Sequence, residues 1–492
     1  MAYTSIPKET SWKIIYSRFE GVERRAVELL SREIGEQVLR KPEVYTLHVL
    51  PCEKETDKTE IPACAVVVGT YAESGIIRKY INKEEISENG YIVKVVRNPL
   101  CIEGSIVLIS AIKEKMLYRA AAAFLDDYST LCAPLHGGMH VRGELFKEIL
   151  PEYTISEAPK VKTRSIFAWG HAINDYRQFL ADMARLGLNQ LILWNDYKPL
   201  NSHDIVECAH SYGIELIWGF AWGWSEGGCS VMSSLDEESL AALKKDVIYQ
   251  YENIWHGIGD GIYFQSFTEK QVDNIGGKNI ASVVTDFVNE VAGELLSINP
   301  ELHIQFGLHA TSVKKHLYEI ARVDKRIEIL WEDCGLFPYA YVPESDSSEE
   351  EFKKTLDFTK KIIELRGKDA PVGLVFKGFA TLDWTNKFFV HQAGRFILGE
   401  NSERISKNDR ALRSDAWRIF TSQWLQSGDR AKRMANYIYN LTGENVNLCM
   451  AGLFDGGIWI PEAICARIFE NPTLDYSEIV KTVCARNSAK IE

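Results

Sequence analysis

The chain has 492 residues, 46% hydrophobic and 25% charged, the averages of soluble globular proteins, so a disordered, collagen-like or coiled-coil chain is excluded. Its formal net charge of -12 argues against a protein whose main work is to hold nucleic acid or an anionic membrane surface. Such a length suits one large domain plus a smaller one.

The opening residues, Met1 to Thr10, lack the basic and apolar regions of a secretory signal, and no stretch approaches the roughly 18 uninterrupted apolar residues of a spanning helix. The expectation is a cytoplasmic chain without membrane or nucleic-acid partners. Its ten cysteines contain no C-x-x-C pair, which suits buried thiols rather than a zinc ribbon or disulfide framework. A homo-oligomer is compatible with the sequence.

In chain order, residues 22 to 39 space apolar side chains three and four apart and predict an amphipathic helix. VYTLHVL and ACAVVVG follow as strand-like runs, then a short helix near GIIRKYI, strands GYIVKVV and SIVLISA, and an alanine-rich helix from Glu114 to Asp127. Helices on a sheet make a small non-catalytic α/β sandwich domain, residues 1–155 with its linker. Pro134 to Pro159 has the composition of loop and linker.

From Arg164 onward short apolar strands alternate with amphipathic helices, the rhythm of a parallel sheet with crossover helices. RSIFAWG, QLILWN, ELIWGFAW, GIYFQSF, HIQFGLH, IEILWED, VGLVFKG and LCMAGLFD give eight strands. The expected architecture is α/β: a (β/α)8 TIM barrel over residues 156–492, ending in C-terminal helices. No nucleotide-binding glycine motif opens any of the helices, so no cofactor is expected.

Chemistry in such barrels sits at the C-terminal ends of the strands. Strand one ends in Trp169, Gly170 and His171, strand two in Trp194, Asn195 and Asp196, strand three in Trp218, Trp222 and Trp224. Strand four ends in Thr268 and Glu269, five in His309, six in Trp331, Glu332 and Asp333. Lys377 closes the seventh, with Asp383 and Trp384 in its loop, and Asp455 closes the eighth, with Trp459 beyond. Any one tryptophan is equally a core residue. Together, flat apolar faces beside hydrogen-bonding groups suit a sugar ring, so a carbohydrate is the expected ligand.

Glycoside cleavage needs one protonated carboxyl group to donate to the leaving oxygen and a second, ionised one to activate water or attack the anomeric carbon. Glu269, closing the apolar run GIYFQSFTE, fits the acid, because desolvation raises a carboxyl pKa. Glu332 and Asp333 are adjacent, so only one can point into a barrel. Asp333 is favoured because it shares a face with Trp331. Lys377, His171 and His309 are candidates for binding substrate hydroxyls or a carboxylate, and an acidic sugar would need a cation such as Lys377 or Arg164. Substrate-binding candidates are therefore Trp169, His171, Trp194, Asp196, Trp222, His309, Trp331, Lys377, Asp383, Trp384, Asp455 and Trp459. His136 and His140 in HGGMH have zinc-pair spacing but sit in a loop without H-E-x-x-H, so no metal is expected.

GYIVKV, SIVLISA and KMLYRAAAAFLDDY resemble the non-catalytic domain that precedes the barrel in β-N-acetylhexosaminidases, α-glucuronidases and O-GlcNAcase-like enzymes. TRSIFAWG and GIYFQSFTE resemble the first and fourth barrel strands of that superfamily, and IWIPEAICARIFENPTLDYSEI resembles the C-terminal helical region of its α-glucuronidase-like members. The resemblance implies an exo-acting glycoside hydrolase with the general acid at Glu269. Thr268 stands where acetamido-assisted hexosaminidases carry an aspartate, so the α-glucuronidase-like members match better, with Glu332 or Asp333 as the base of an inverting mechanism. Two other classes share such strand ends: a metal-dependent sugar isomerase or epimerase, and a non-catalytic sugar-binding protein.

Overall fold

The computed structural model describes residues 12–38, 42–46, 61–99, 101–132, 150–195, 197–219, 236–265, 273–309, 313, 315–332, 349–367, 370–379, 396–402, 404, 407, 411, 414–454 and 457–486. Two sheets organise it: a six-stranded sheet and a closed eight-stranded parallel barrel.

The first sheet comprises β1 (Trp12–Tyr16), β2 (Glu43–Thr46), β3 (Cys64–Thr70), β4 (Tyr91–Asn98), β5 (Cys101–Ala111) and β6 (Tyr153–Glu157), in the order β2-β1-β3-β5-β4-β6. Helix α1 (Gly21–Val38) buries Val22, Ala26, Leu29, Leu30 and Ile34, the three-and-four spacing expected of it. Gly21 starts this helix at φ +53, and the Glu114 carboxylate caps it by accepting from the Val22 amide at 2.9 Å. The short α2 (Gly75–Tyr80) covers the other face of the sheet, while α3 (Leu117–Cys132) lies beside α1.

Two strands escaped the sequence pattern. WKIIY forms β1 at the centre of a parallel trio, and YTISE forms β6 inside the segment expected to be linker. An edge strand that is only half-buried needs no dense apolar run, which is why β6 looked like loop.

The barrel strands are β7 (Thr163–Trp169), β8 (Gln190–Trp194), β9 (Glu215–Gly219), β10 (Gly261–Gln265), β13 (His303–Leu308), β14 (Glu328–Trp331), β15 (Val372–Phe379) and β16 (Val446–Gly452). A two-residue ladder, β11 (Asn274–Ile275) with β12 (Lys278–Asn279), precedes the long crossover helix α7. The helices are α4 (Tyr176–Arg185), α5 (Ser202–Ser211), α6 (Glu237–Gln250), α7 (Ile280–Ile298), α8 (Leu317–Ile320), α9 (Glu349–Arg366), α10 (Ser414–Ser427), α11 (Asp429–Thr442), α12 (Ile460–Glu470) and α13 (Tyr476–Arg486). Pairing of Asn447 with Thr163 closes the ring. All eight strands coincide with the eight apolar runs.

Each strand alternates an outward side chain, packed on helices, with an inward one. Three inward layers result. The lowest is polar, with Ser165, Gln190, Gln305, Glu328 and Asn447 hydrogen-bonded to one another. Above it lie Phe167, Ile192, Ile217, Tyr263, Leu330, Val375 and Cys449. The third, at the C-terminal ends of the strands, carries Trp169, Trp194, Lys377 and Glu332.

Cys208, Cys449 and Cys484 are buried thiols. No helix among the described residues is long and apolar enough to cross a membrane.

Candidate active site

Glu332 follows the last residue of β14, and its amide still donates to the Leu308 carbonyl at 3.0 Å, so the residue keeps strand register. Counting in twos from Glu328 and Leu330 aims its side chain into the barrel. There its Oε2 lies 3.1 Å from His309 Nε2 and 3.1 Å from Lys377 Nζ. Its Oε1 accepts a hydrogen bond from the Tyr263 hydroxyl. Glu332 is 2% exposed. Burial alone would raise its pKa; the charges of His309 and Lys377, with hydrogen bonds from His309 and Tyr263, reverse that and hold the carboxyl well below the ordinary range.

The neighbouring residues reach this point from separate strands. His309 directly follows β13 and is 7% exposed. Lys377 lies near the end of β15, just before a register irregularity between Lys377 and Phe379. Trp169 stacks on Phe167 with ring centres 5.0 Å apart, and Trp194 meets the Tyr263 ring edge-on at 6.1 Å. Gly219, at the end of β9, leaves the space that the Trp194 ring fills, since a Cβ there would stand 2.8 Å from it. His171 lies in the single turn, Gly170–Ala172, that leaves β7.

Four expectations are corrected. Trp331 faces outward: its indole nitrogen donates to Thr359 Oγ1 at 3.2 Å and its ring packs on Phe358 of α9, 5.0 Å away. The premise that favoured Asp333 therefore inverts, and the inward face at this strand end belongs to Glu332. Trp459 caps the start of α12 and stacks on Trp417 at 6.4 Å, lining a groove beside α4 and α13 rather than the barrel interior. Arg164 lies near the start of β7, where its guanidinium donates to the carbonyls of Gly187 and Val161 at the opposite end of the barrel from the site. Trp218, too, packs outward, on Trp255.

Glu269, Asp333, Asp196, Trp222, Asp383, Trp384 and Asp455 lie outside the described residues, as do His136 and His140. Among the described residues no group of three or more histidine, cysteine, aspartate or glutamate side chains is placed to hold a metal ion.

Sequence reasoning passed over Tyr263, although its strand was recognised. The inward parity of β10, in which Gly261 and Tyr263 alternate with Ile262 and Phe264, was the available signal. It also passed over Glu462 at the start of α12, a buried carboxyl pushed up to about 7 by its burial and only partly offset by backbone donors.

No protein-family model and no curated protein matches this chain. Solved structures do match. CpGH84D aligns over 96% of this chain and 68% of its own, at 12% identity and a TM-score of 0.50. BtGH115A, a family GH115 4-O-methyl-α-glucuronidase with specificity for decorated arabinogalactans, aligns over 97% of this chain, at 11% identity and a TM-score of 0.53. What they share with this chain is the fold. At these identities the likeness extends no further. The chain spans 58% of the length of BtGH115A.

Proposed function

We propose that the chain is a glycoside hydrolase, exo-acting on short oligosaccharides or glycosides, in which two carboxyl groups divide the work. Glu269, beyond β10, is the general acid. Glu332 is its ionised partner. The observation that carries this reading is the state of Glu332: an inward carboxylate at the C-terminal end of a barrel strand, kept charged by His309, Lys377 and Tyr263 beside the rings of Trp169 and Trp194.

A carboxylate with so little affinity for a proton is a weak base. It suits direct attack on the anomeric carbon, or stabilisation of positive charge there, better than activation of water. Asp333, its neighbour, is the alternative base. Trp169 and Trp194 offer ring faces to a sugar, and Lys377, His309 and His171 offer polar contacts to its oxygens. Asp196, Trp222, Asp383, Trp384 and Asp455 complete the substrate-binding set by their position in the sequence.

Product release from a panel of α- and β-aryl glycosides, neutral, amino and uronic, tests the reading. Wild type is expected to turn over one sugar class, and Glu269→Gln and Glu332→Gln each to lose about a hundred-fold or more while keeping the fold. Undiminished turnover by either variant removes that residue from the mechanism. Loss of activity on chelation, restored by divalent ions, favours a metal-dependent isomerase instead.

A further inference from the structure

Strand β13 lies between β10 and β14 in the barrel, so a side chain on β10 reaches one on β14 only by crossing it. Tyr263 on β10 makes that crossing and donates its hydroxyl to Glu332 Oε1. The residue it crosses is Gly307. A Cβ at 307 would overlap the Tyr263 hydroxyl and Glu332 Oε1 and stand 2.6 Å from the tyrosine Cζ. No other residue type leaves this passage open. The tyrosine ring is fixed from two further sides, by Phe167 at 4.8 Å and Trp194 at 6.1 Å, and the residue is fully buried.

We propose that Tyr263, acting through the gap at Gly307, is a positioning residue that pins Oε1 of Glu332 and so presents its charge to the site through Oε2, the oxygen shared with His309 and Lys377. This rests on the reading of Glu332 as the ionised partner in glycoside cleavage. No proton changes hands: the phenol keeps its hydrogen, and the bond to it favours the carboxylate over the carboxylic acid. A pinned carboxylate has lost its rotational freedom before substrate arrives, which is how a preformed site lowers a barrier without a new contact to substrate.

Tyr263→Phe removes the hydroxyl and keeps the ring packing. Gly307→Ala keeps the hydroxyl and blocks its path. Because both delete one bond, their effects are expected to overlap, with the double variant no worse than the more severe single one. In Tyr263→Phe, kcat is expected to fall about ten-fold or more, as for loss of a hydrogen bond to a charged group, with KM within about two-fold. The acid limb of kcat/KM is expected to move up by about one pH unit.

A second readout needs no turnover. The ring resonances of His309, assigned by their loss in His309→Gln, report protonation of the adjoining Glu332 as an inflection on the acid side. That inflection is expected about one pH unit higher in Tyr263→Phe than in wild type, and absent in Glu332→Gln. An inflection that stays put in Tyr263→Phe, or additive losses in the double variant, overturns the assignment. A wild type that cleaves no glycoside sinks the hydrolase reading alone, and the resonance titration still decides the role of Tyr263.

Discussion

Two glutamates near the C-terminal ends of the barrel strands show how environment sets charge. Glu332 meets the Lys377 ammonium, the His309 imidazole and a phenol, which hold it ionised, whereas Glu462, equally buried, receives only backbone donors among the described residues, one of them the Trp459 amide at 2.9 Å. Its other oxygen, Oε1, has no hydrogen-bond partner among the described residues. Its carboxyl is pushed up to about 7 from an ordinary 4.5. Between those values the folded chain holds a proton that the unfolded chain has released, so stability declines as pH rises from about 4.5 through 7. The full shift corresponds to about 3 kcal/mol as an upper bound. Glu462→Gln removes the ionisation, so relative to wild type it is expected to gain stability from about pH 4.5 to about pH 8. Denaturant midpoints at the two pH values measure this, and parallel pH curves would refute it. None of this was legible in the sequence, because a glutamate three residues into a helix looks like a solvated cap. The choice between Glu332 and Asp333 was nearly legible. Glu328 and Glu332 share a strand face, and a polar residue at each end of an otherwise apolar strand marks the inward side of this barrel.

The strands themselves were easier, because each barrel strand buries both faces and therefore appears as a continuous apolar run. What those runs hide is the polar lowest layer. His303, at the start of β13, lies 2.8 Å from Glu215 and 3.1 Å from Glu328, and Gln305 bridges Glu328 to Gln190. Burial would lower the imidazole pKa, but hydrogen bonds and charge from Glu215 and Glu328 raise it to about 10. A histidine bound more tightly to its proton in the folded state stabilises fully below pH 6.5, and that contribution fades as pH rises from 6.5 to about 10. His303→Gln leaves two glutamates without their cation. It is expected to cost on the order of 2 kcal/mol at about pH 6 and clearly less at about pH 10. Urea unfolding at the two pH values checks the sign, and an equal cost at both would show that the imidazole acts only by packing. The sequence marked none of this, since single polar residues at strand starts look like the edges of loops.

At the scale of the whole molecule, the small sheet is joined to the barrel through one continuous apolar core, with α1 and α3 against α4, α5 and α13. Ion pairs cross that junction, and the pair of Arg119 with Glu470 is buried in it. Arg119 of α3 donates from Nε and Nη2 to the two oxygens of Glu470, at 3.1 and 3.2 Å, and is 5% exposed. Arg467 joins from the same helix as Glu470 and reaches Glu157 of β6, while Arg185 of α4 spans to Glu33 and Asp126. Burial would raise the pKa of Glu470, but the charges of Arg119 and Arg467 hold its carboxyl far below the ordinary range. Removing one member of such a pair strands the other, whereas replacing both with apolar groups can cost little. Arg119→Met is therefore expected to destabilise by about 3 kcal/mol, and Arg119→Met with Glu470→Leu by much less. Glu470 ends α12, and its carbonyl takes the Lys160 amide just ahead of β7, so the cluster lies at the N-terminal end of the barrel, far from Glu332. Both variants should accordingly keep the kcat/KM of the wild type on any glycoside it cleaves. Denaturant unfolding of the single and double variants, with turnover measured beside it, separates the two roles. Equal losses of stability in both would show that the pair is not coupled, and a fall in kcat/KM in either would mean that the junction shapes the site.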